Sequence, residues 1–545
     1  MKIPHLSNNK YVVSCVSTIY IFFLIVGFFI YKDFGLSIDE IDQRWHGFIY
    51  LKYLFEIFYP AGVTQINEII QTPTVSDPSV KLVDEYYGPI FNVMAAYIEY
   101  FFKVDDSRDY YLFRHYLNYS VFIISNFYFF LIARERFNSN YWGILGALFL
   151  FLSPRIFAHS FFNHKDLVFL SFFIINLYYG LIFLKSPNYK NSIFFAISTA
   201  LSVDTRIMGI FFPIIIILFS YLKYLRNVKI KIMPGLLVFI ILTPLLIIMF
   251  WPYLWENPLI NFIAAFKSFS SIPWDWFNLY IGKYISSTNL PWHYIFVWIG
   301  ITTPIFYLFL FIIGFANYSL RLKSRLFKIT NNESLNDLWR GEKELQDLVF
   351  YTSLILPIFA VILLNSRLYD GWRHMFFIYP CLLMISLKGL YLLKLKYFKK
   401  NQNIFVLIVG IFLAHISFVM IKNHPHQNVY FNFLAGKNIE KKFELDYWGL
   451  SNKQAYEYIL KNDSDDKILI GTASSNHLRN SKKILTIDER KRISISENND
   501  AKYIIDNYRH WHGISKKQFH ISEDFKIYKE IFVGKQKIIS IYKRI

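Results

Sequence analysis

The sequence predicts a polytopic α-helical membrane protein. About eleven transmembrane helices are expected, with amphipathic helices in a long first outer loop and a small α/β domain at the C-terminal end. Three observations carry this reading. Hydrophobic residues make up 54% of the 545 and charged residues 18%, against about 25% charged in a soluble domain, and the mean hydropathy is +0.31. The apolar residues are gathered in repeated blocks long enough to cross a bilayer. Lys and Arg collect between those blocks, in alternate segments. The net charge of +19 is therefore read as a topology signal, and no nucleic-acid partner is expected. Cys15 and Cys381 both fall in apolar runs, so no disulfide framework or cysteine metal site follows.

The first block, "YVVSCVSTIYIFFLIVGFFIY" (11–31), exceeds a signal-peptide core, and no small-x-small cleavage site follows it, so it reads as a spanning helix. Further spans are expected near 116–133, 141–154, 167–184, 191–204, 208–222, 235–252, 294–314, 346–364, 375–393 and 404–421. The third and fifth of the eleven are short, as bent or partly inserted helices would be. With the N-terminus cytoplasmic, the inner segments carry Lys2 and Lys10; Arg134 and Arg136; Lys185 and Lys190; Lys223 to Lys231; Arg321 to Lys343; and Lys394 to Lys400. The short outer loops carry far fewer cations. This asymmetry expects a multi-pass protein of the cell inner (cytoplasmic) membrane, and an odd number of spans puts the C-terminus outside.

Two larger pieces then lie outside. Residues 1–421 form the transmembrane domain, and 32–115 are its first extracytoplasmic loop. In that loop "EIDQRWHGFIYLKYLFEIF" and "IFNVMAAYIEYFFK" repeat apolar residues at helical spacing, as interfacial helices do. "QTPTVSDPSVKLVDEYYGP" between them reads as loop from its Pro, Ser and Asp. Residues 422–545 form the C-terminal domain, with "NKQAYEYIL" as helix, "KILIG" as strand and "YKEIFVGKQKIISIYK" closing it.

Ionisable groups at the edges of spans are costly and mark function. Five clusters fall on the outer side: "SIDEIDQRWHG", "SPRIFAHSFFNHKD", "VDTRIMG", "NLPWHYIF" and "RLYDGWRHMF", with Trp45, Trp274, Trp276, Trp292 and Trp372 among them as interface residues. Singly, each has an ordinary explanation. Interfacial Arg and Lys snorkel, and a lone His is usually a hydrogen-bonded structural group. Together on one face they suit a lipid-linked phosphate, met by cations with a carboxylate nearby as base. A transporter would more often place its charges at mid-membrane in an inverted repeat, and no such repeat is visible.

Those stretches, with "YYGPIF", "RHYLN", "LPWHYIFVWIGITTP", "YDGWRHMFFIYP", "YFNFLAG" and "FELDYWGLS", resemble bacterial membrane glycosyltransferases of the GT-C fold, on the branch of protein O-mannosyltransferases and lipid A aminoarabinose transferase. The resemblance runs from about 35 to 451. It implies a polyprenyl-phosphate-linked sugar as donor, an acceptor that is a glycan, lipid or protein, membrane lipids around it, and a base at the start of the first outer loop. That role falls on Asp39, with Glu40 beside it. Asp42, about a turn on, could face the same cleft. Placed at a helix N-terminus, Asp39 is expected to have a somewhat lowered pKa. Arg206 and Arg373 are expected on the donor phosphate because a guanidinium matches its oxygens, with Lys165 and His374 beside them. Asp166, Asp370 and His159 are supporting candidates. His164 stands where the family more often has Pro, and it is given no role. One displacement at the sugar C1 implies inversion. No metal-ligand spacing is diagnostic. No cofactor is required by the sequence, and a divalent metal stays open. A lipid-linked-glycan flippase or transporter and a non-catalytic membrane scaffold are the alternatives to an enzyme.

Overall fold

The structure is a computed structural model that describes residues 10–70, 86–226, 233–270, 277–327, 338–475, 477–509 and 521–545. Residues 71–85 of the loop expected over 71–89, Trp274 and Trp276, and the cations Lys2, Lys229, Lys231 and Lys328 lie outside these residues. The chain opens with α1 (Lys10–Ile30). Then α2 (Ile38–Phe58), α3 (Val63–Ile70) and α4 (Ile90–Phe102) make the helical part of the first loop. There follow α5 (Ser107–Phe137), α6 (Asn140–Phe151), α7 (Pro154–Phe162), α8 (Asp166–Lys185), α9 (Tyr189–Thr205), α10 (Phe211–Arg226), α11 (Met233–Phe250) and α12 (Pro258–Ser270). A hairpin, β1 (Phe277–Tyr280) and β2 (Lys283–Ser286), leads to α13 (Tyr294–Thr302), α14 (Ile305–Phe327), α15 (Gly341–Leu363), α16 (Tyr379–Tyr397) and α17 (Gln402–Lys422).

Every expected span is helical, but the described residues hold eight helices long and apolar enough to cross a membrane, or nine counting one bent pair. The differences have local causes. α6 and α7 meet at a 67° bend, where Pro154 opens the second helix and has no N–H to continue the first. Pro304 likewise splits the segment 294–314 into α13 and α14. α9 is short and carries the buried polar Ser192, Ser198, Ser202 and Asp204, and α11 is also below span length. The first-loop helices do not merely lie in an interface. α2 packs on α4 so closely that a Cβ at Gly47 would stand 2.3 Å from the Asn92 carbonyl oxygen, and Phe48, Leu51 and Phe55 bury against Ile66 and Ala96.

After α17, residues 424–451 return over the end of the bundle. Asn432 Nδ2 donates to the carbonyls of Gly300 and Thr303, both at 2.7 Å, and Arg155 Nε donates to Tyr430 O at 3.1 Å. Then come α18 (Asn452–Asn462), β3 (Ile468–Thr472), α19 (Leu478–Ser481), α20 (Ile487–Arg492), β4 (Ile493–Ile495), β5 (Tyr503–Asp506), β6 (Phe525–Val533) and β7 (Gln536–Arg544). The sheet order is β4-β3-β5-β7-β6, with β3 parallel to β4 and β5, and β7 antiparallel to β5 and β6. One apolar core runs without a break from Phe23 in α1 to Ile541 in β7. The sheet is therefore packed onto the bundle, and is not hung from it by a linker.

The two ends of the bundle differ in charge. Segments read as inner are tied together at one end by Arg136–Asp347, Arg325–Glu344 at 2.7 Å, Lys223–Glu342 at 2.6 Å and Lys185–Glu135 at 2.7 Å. Four of the five clusters meet around Asp166 and Arg373, and the fifth, 289–296, reaches Asp370 only through Tyr294 and Asn278.

Candidate active site

The opening stretch reaches the site because both its ends are fixed. Gly35 passes the 424–451 return so closely that a Cβ there would stand 2.1 Å from the Leu450 carbonyl oxygen. Ser37 then caps α2 in a capping box, with Glu40 Oε2 accepting from the Ser37 N–H at 2.6 Å. Successive residues on a helix point about 100° apart, and the carboxylate pair accordingly divides. Glu40 turns inward, wholly buried, and its Oε1 lies 2.7 Å from His115 Nε2 and 3.9 Å from His164 Nε2. Asp39 turns toward the cleft with its side chain 34% exposed. Asp42 lies on the exposed side of α2.

Asp39 Oδ2 is 3.2 Å from Arg373 Nη1. The same Nη1 donates to Asp166 Oδ2 at 3.0 Å, and Arg373 Nη2 is 3.3 Å from Asp370 Oδ2. Arg206 pairs with Asp166 Oδ1. Asp166 is thus a hub between two guanidinium groups. Asn163 fixes it further, since its Nδ2 donates to Asp166 Oδ2 at 3.1 Å and its Oδ1 accepts the Asp166 N–H at 2.8 Å. His159 is a support one step back: Nδ1 faces Asn163 Nδ2 at 3.1 Å and Nε2 faces the Tyr447 hydroxyl at 3.3 Å. His374 is buried with its ring against Tyr369, centroids 4.6 Å apart. Among the described residues, Arg206 Nε, Arg373 Nε and His374 Nδ1 are buried with no hydrogen-bond partner.

Aromatic rings shape the opening. Lys165 Nζ stands 3.3 Å from the Tyr87 ring centroid, with the Arg206 guanidinium 5.6 Å from the same ring. Arg373 lies between Tyr369 at 4.8 Å and Trp448 at 5.0 Å. Asp39, Lys165, Tyr87 and Tyr369 are each partly exposed, so they rim a floor made of Asp166, Arg206, Arg373 and His374. Tyr87 is carried there by Asp204, whose carbonyl accepts from Gly88 N at 2.7 Å and whose Oδ2 accepts from Ile90 N at 3.1 Å.

The Asp39 carboxyl is raised from its ordinary value. Burial is the main cause, with Asp370 and Asp166 adding to it and Arg373 and Lys165 opposing. The lowering expected from the helix N-terminus is thereby reversed, because desolvation and like charge outweigh a dipole term of typically 0.3–1 kcal/mol. Trp372, expected at the interface, is instead 2% exposed and donates to Thr302 Oγ1 at 2.9 Å. Asp166's oxygens meet two arginines and an amide, and Asp39 faces Arg373; among the described residues no group of three or more His, Cys, Asp or Glu is placed to hold a metal ion.

The structure thus brings together Asp39, Lys165, Asp166, Arg206, Asp370, Arg373 and His374, and leaves Glu40 behind the helix and Asp42 outside. It adds Tyr87, Asn163, Asp204, Tyr369, Trp448 and, from the sheet, Arg509. Of these, Tyr87, Asn163, Asp204, Tyr369 and Trp448 stand inside or at the edge of stretches the sequence singles out, beside the charges that draw attention. Arg509 stands in a tail that shows no motif.

Residues 95–251 match the family described as dolichyl-phosphate-mannose-protein mannosyltransferase. That range holds Lys165, Asp166 and Arg206 but neither Asp39 nor Arg373. The match supports the resemblance to the protein O-mannosyltransferase superfamily. Among solved structures, ArnT from Cupriavidus metallidurans bound to undecaprenyl phosphate is similar at 10% identity and a TM-score of 0.45, over 97% of this chain and 98% of that one. No curated protein matches the chain.

Proposed function

We propose that this chain is a multi-pass membrane glycosyltransferase that moves a sugar from a polyprenyl-phosphate-linked donor to an acceptor on the extracytoplasmic face, with Asp39 as base and inversion at C1. The observation that carries it is a part-exposed carboxylate of raised proton affinity, held 3.2 Å from a guanidinium group that is itself anchored on Asp166. A base near the mouth and cations at the floor are what displacement from a glycosyl phosphate asks for. The acceptor's O–H or N–H gives its proton to an Asp39 oxygen as the acceptor atom bonds to C1. The C1–O bond to phosphate breaks, and the phosphate leaves with the electron pair. Arg373, Arg206 and Lys165 neutralise it, and the buried N–H groups of the two arginines gain an acceptor.

The acceptor attacks directly in this scheme. A double displacement needs a second carboxylate on the other side of the sugar, and Glu40 is engaged by Ser37 and His115 on the far side of α2. The outer placement of the cleft is inferred from the basic opposite end of the bundle.

The test is a panel of synthetic polyprenyl-phosphate sugars given to the purified full chain in detergent, with release or transfer of the sugar followed. Wild type should use at least one member. Asp39→Asn should lose a factor of about 10² or more while still binding undecaprenyl phosphate. Undiminished turnover by Asp39→Asn would remove the base from the scheme. Binding of the panel with no chemistry in any variant would favour a flippase or scaffold.

A further inference from the structure

The ion-pair chain of the cleft does not end at Asp370. Arg509 Nη2 lies 3.0 Å from Asp370 Oδ1, while Arg373 Nη2 lies 3.3 Å from Oδ2. The carboxylate of Asp370 is therefore gripped from both sides, by the cleft and by the loop after β5. We propose that Arg509, carried by the C-terminal sheet, is a positioning residue of the cleft: it holds and neutralises Asp370 so that Arg373 stays aimed at Asp39 and Asp166. The proposal rests on the glycosyl-phosphate reading only for what the cleft binds.

Arg509 is delivered by a loop built to place it. Tyr508 has φ +61°, a left-handed turn. Asp506 Oδ1 accepts from Tyr508 N at 2.8 Å, and Ser475 N donates to Arg509 O at 2.8 Å. Asn507 N donates to Ser474 Oγ at 3.1 Å, and Asn507 Nδ2 donates to Asp446 O at 3.4 Å. Asp446 in turn holds the turn that leads into α18, its oxygens accepting from Leu450 N, Ser451 N and Ser451 Oγ. Two residues after Asp446 stands Trp448, the ring against Arg373. The loop is thus tied to the segment that walls the cleft. Asp370 itself is held at φ +56°, and its N–H donates to Asn278 Oδ1 at 3.1 Å. A loop in that conformation has little freedom to re-form the contact another way.

The charges around Asp370 make the pairing consequential. Arg373, Arg509 and Glu444 act on it, and Asp39 and Asp166 share Arg373 with it. Burial and Asp370 raise the Glu444 carboxyl, with Arg509 opposing. The ion pair that Arg509 makes is with Asp370, at 3.0 Å. Without Arg509, the full charge of Asp370 would draw Arg373 from Asp39 and raise Asp39 further, since Asp370 already raises it. An ångström of displacement at such a group costs about a hundredfold in rate.

The experiment uses the full chain in detergent and two readouts. The first is the titration of the Asp39 carboxyl by infrared difference spectroscopy, the band assigned by its loss in Asp39→Asn. Arg509→Gln should move that titration up by about half a pH unit or more, roughly threefold in proton affinity. Asp370→Asn should move it down, and the double variant should match Asp370→Asn. Arg509→Lys, which keeps the charge, should stay near wild type. The second readout is binding of undecaprenyl phosphate. Arg509→Gln should weaken it about tenfold, and Asp370→Asn should abolish that dependence on residue 509. An unmoved Asp39 titration in Arg509→Gln overturns the proposal, as does a double variant in which the two effects simply add. Should wild type fail to bind undecaprenyl phosphate, the donor reading falls, and the titration still decides the role of Arg509.

Discussion

Asp166→Asn is the sharpest perturbation of this site, because the residue joins two buried cations. Its side chain is 1% exposed. Oδ1 is paired with Arg206, and Oδ2 accepts from Arg373 at 3.0 Å and from Asn163 at 3.1 Å. The amide keeps the shape, removes one charge and turns an NH2 toward a guanidinium group. Breaking a buried pair by removing one partner costs about 3–5 kcal/mol, because the other charge is left in place. Arg373 keeps Asp39 and Asp370, so the loss should fall mostly on Arg206. Over a chain of 545 residues this amounts to roughly 3–5 °C in Tm, read by tryptophan fluorescence on heating in detergent. Asp166→Asn with Arg206→Gln removes both charges and should regain about 1–4 kcal/mol of that loss, while donor binding stays weak. A double variant less stable than either single, or an Asp166→Asn that melts and binds donor like wild type, would refute the hub.

Arg206→Ala and Arg373→Ala should each weaken donor use by about ten- to a hundredfold, from one charge-assisted contact of roughly 1.5–3 kcal/mol, with Arg→Lys restoring only part; donor titrations of the purified variants check this. The base works only when ionised, and the Asp39 carboxyl lies above its usual 3.8, so transfer should fall as pH drops through a value above 3.8, and a pH–rate profile checks this. A carboxyl raised by folding adds stability below its unfolded pKa and loses it as pH rises through the folded pKa; ionised Asp39 is then a net cost near neutrality, and Asp39→Asn should melt no lower than wild type at pH 7. Gly35→Ala would place a Cβ 2.1 Å from Leu450 O and should cost about 1–3 kcal/mol, lowering Tm and transfer together. A reporter active only outside the cytoplasm should work when fused after Asn423 and fail when inserted within 323–343.

Much of the fold was legible because the membrane imposes length and charge on a chain. Alternating basic segments separate the two ends of the bundle, and the structure gathers Arg136, Arg325, Lys223 and Lys185 at one end and joins four of the five clusters in one ion-pair network away from them. The breaks at Pro154 and Pro304 were less legible, since apolar composition continues through them while the hydrogen-bond ladder does not. In the site, residue type marked Asp39, Lys165, Asp166, Arg206 and Arg373, but composition says nothing about pairing. Asp166 could not be told from an ordinary loop acid until Arg206 and Arg373 were seen to converge on it. The split between Asp39 and Glu40 follows from helix geometry once Ser37 is placed as the cap. The reversed pKa of Asp39 does not, because it depends on burial and on Asp370, 331 positions along the chain.

Arg509 shows the same limit more sharply. It lies in a stretch with no recognisable pattern, yet it closes a chain of contacts that starts with Arg206 at the end of α9, crosses to Asp166 at the start of α8, passes through Arg373 and Asp370, and ends beside the sheet. A charge on a soluble-looking strand end reads as solvated surface until the sheet is docked. The docking is done by apolar packing, through Tyr456, Ile468, Tyr503 and Ile541 in the common core, and apolar packing carries no signature of the one polar contact it delivers. The C-terminal sheet is therefore better regarded as a wall of the cleft than as a separate module. A chain cut at 451, ahead of that sheet, should leave Asp370 without its second guanidinium group and expose the apolar face on which the sheet sits.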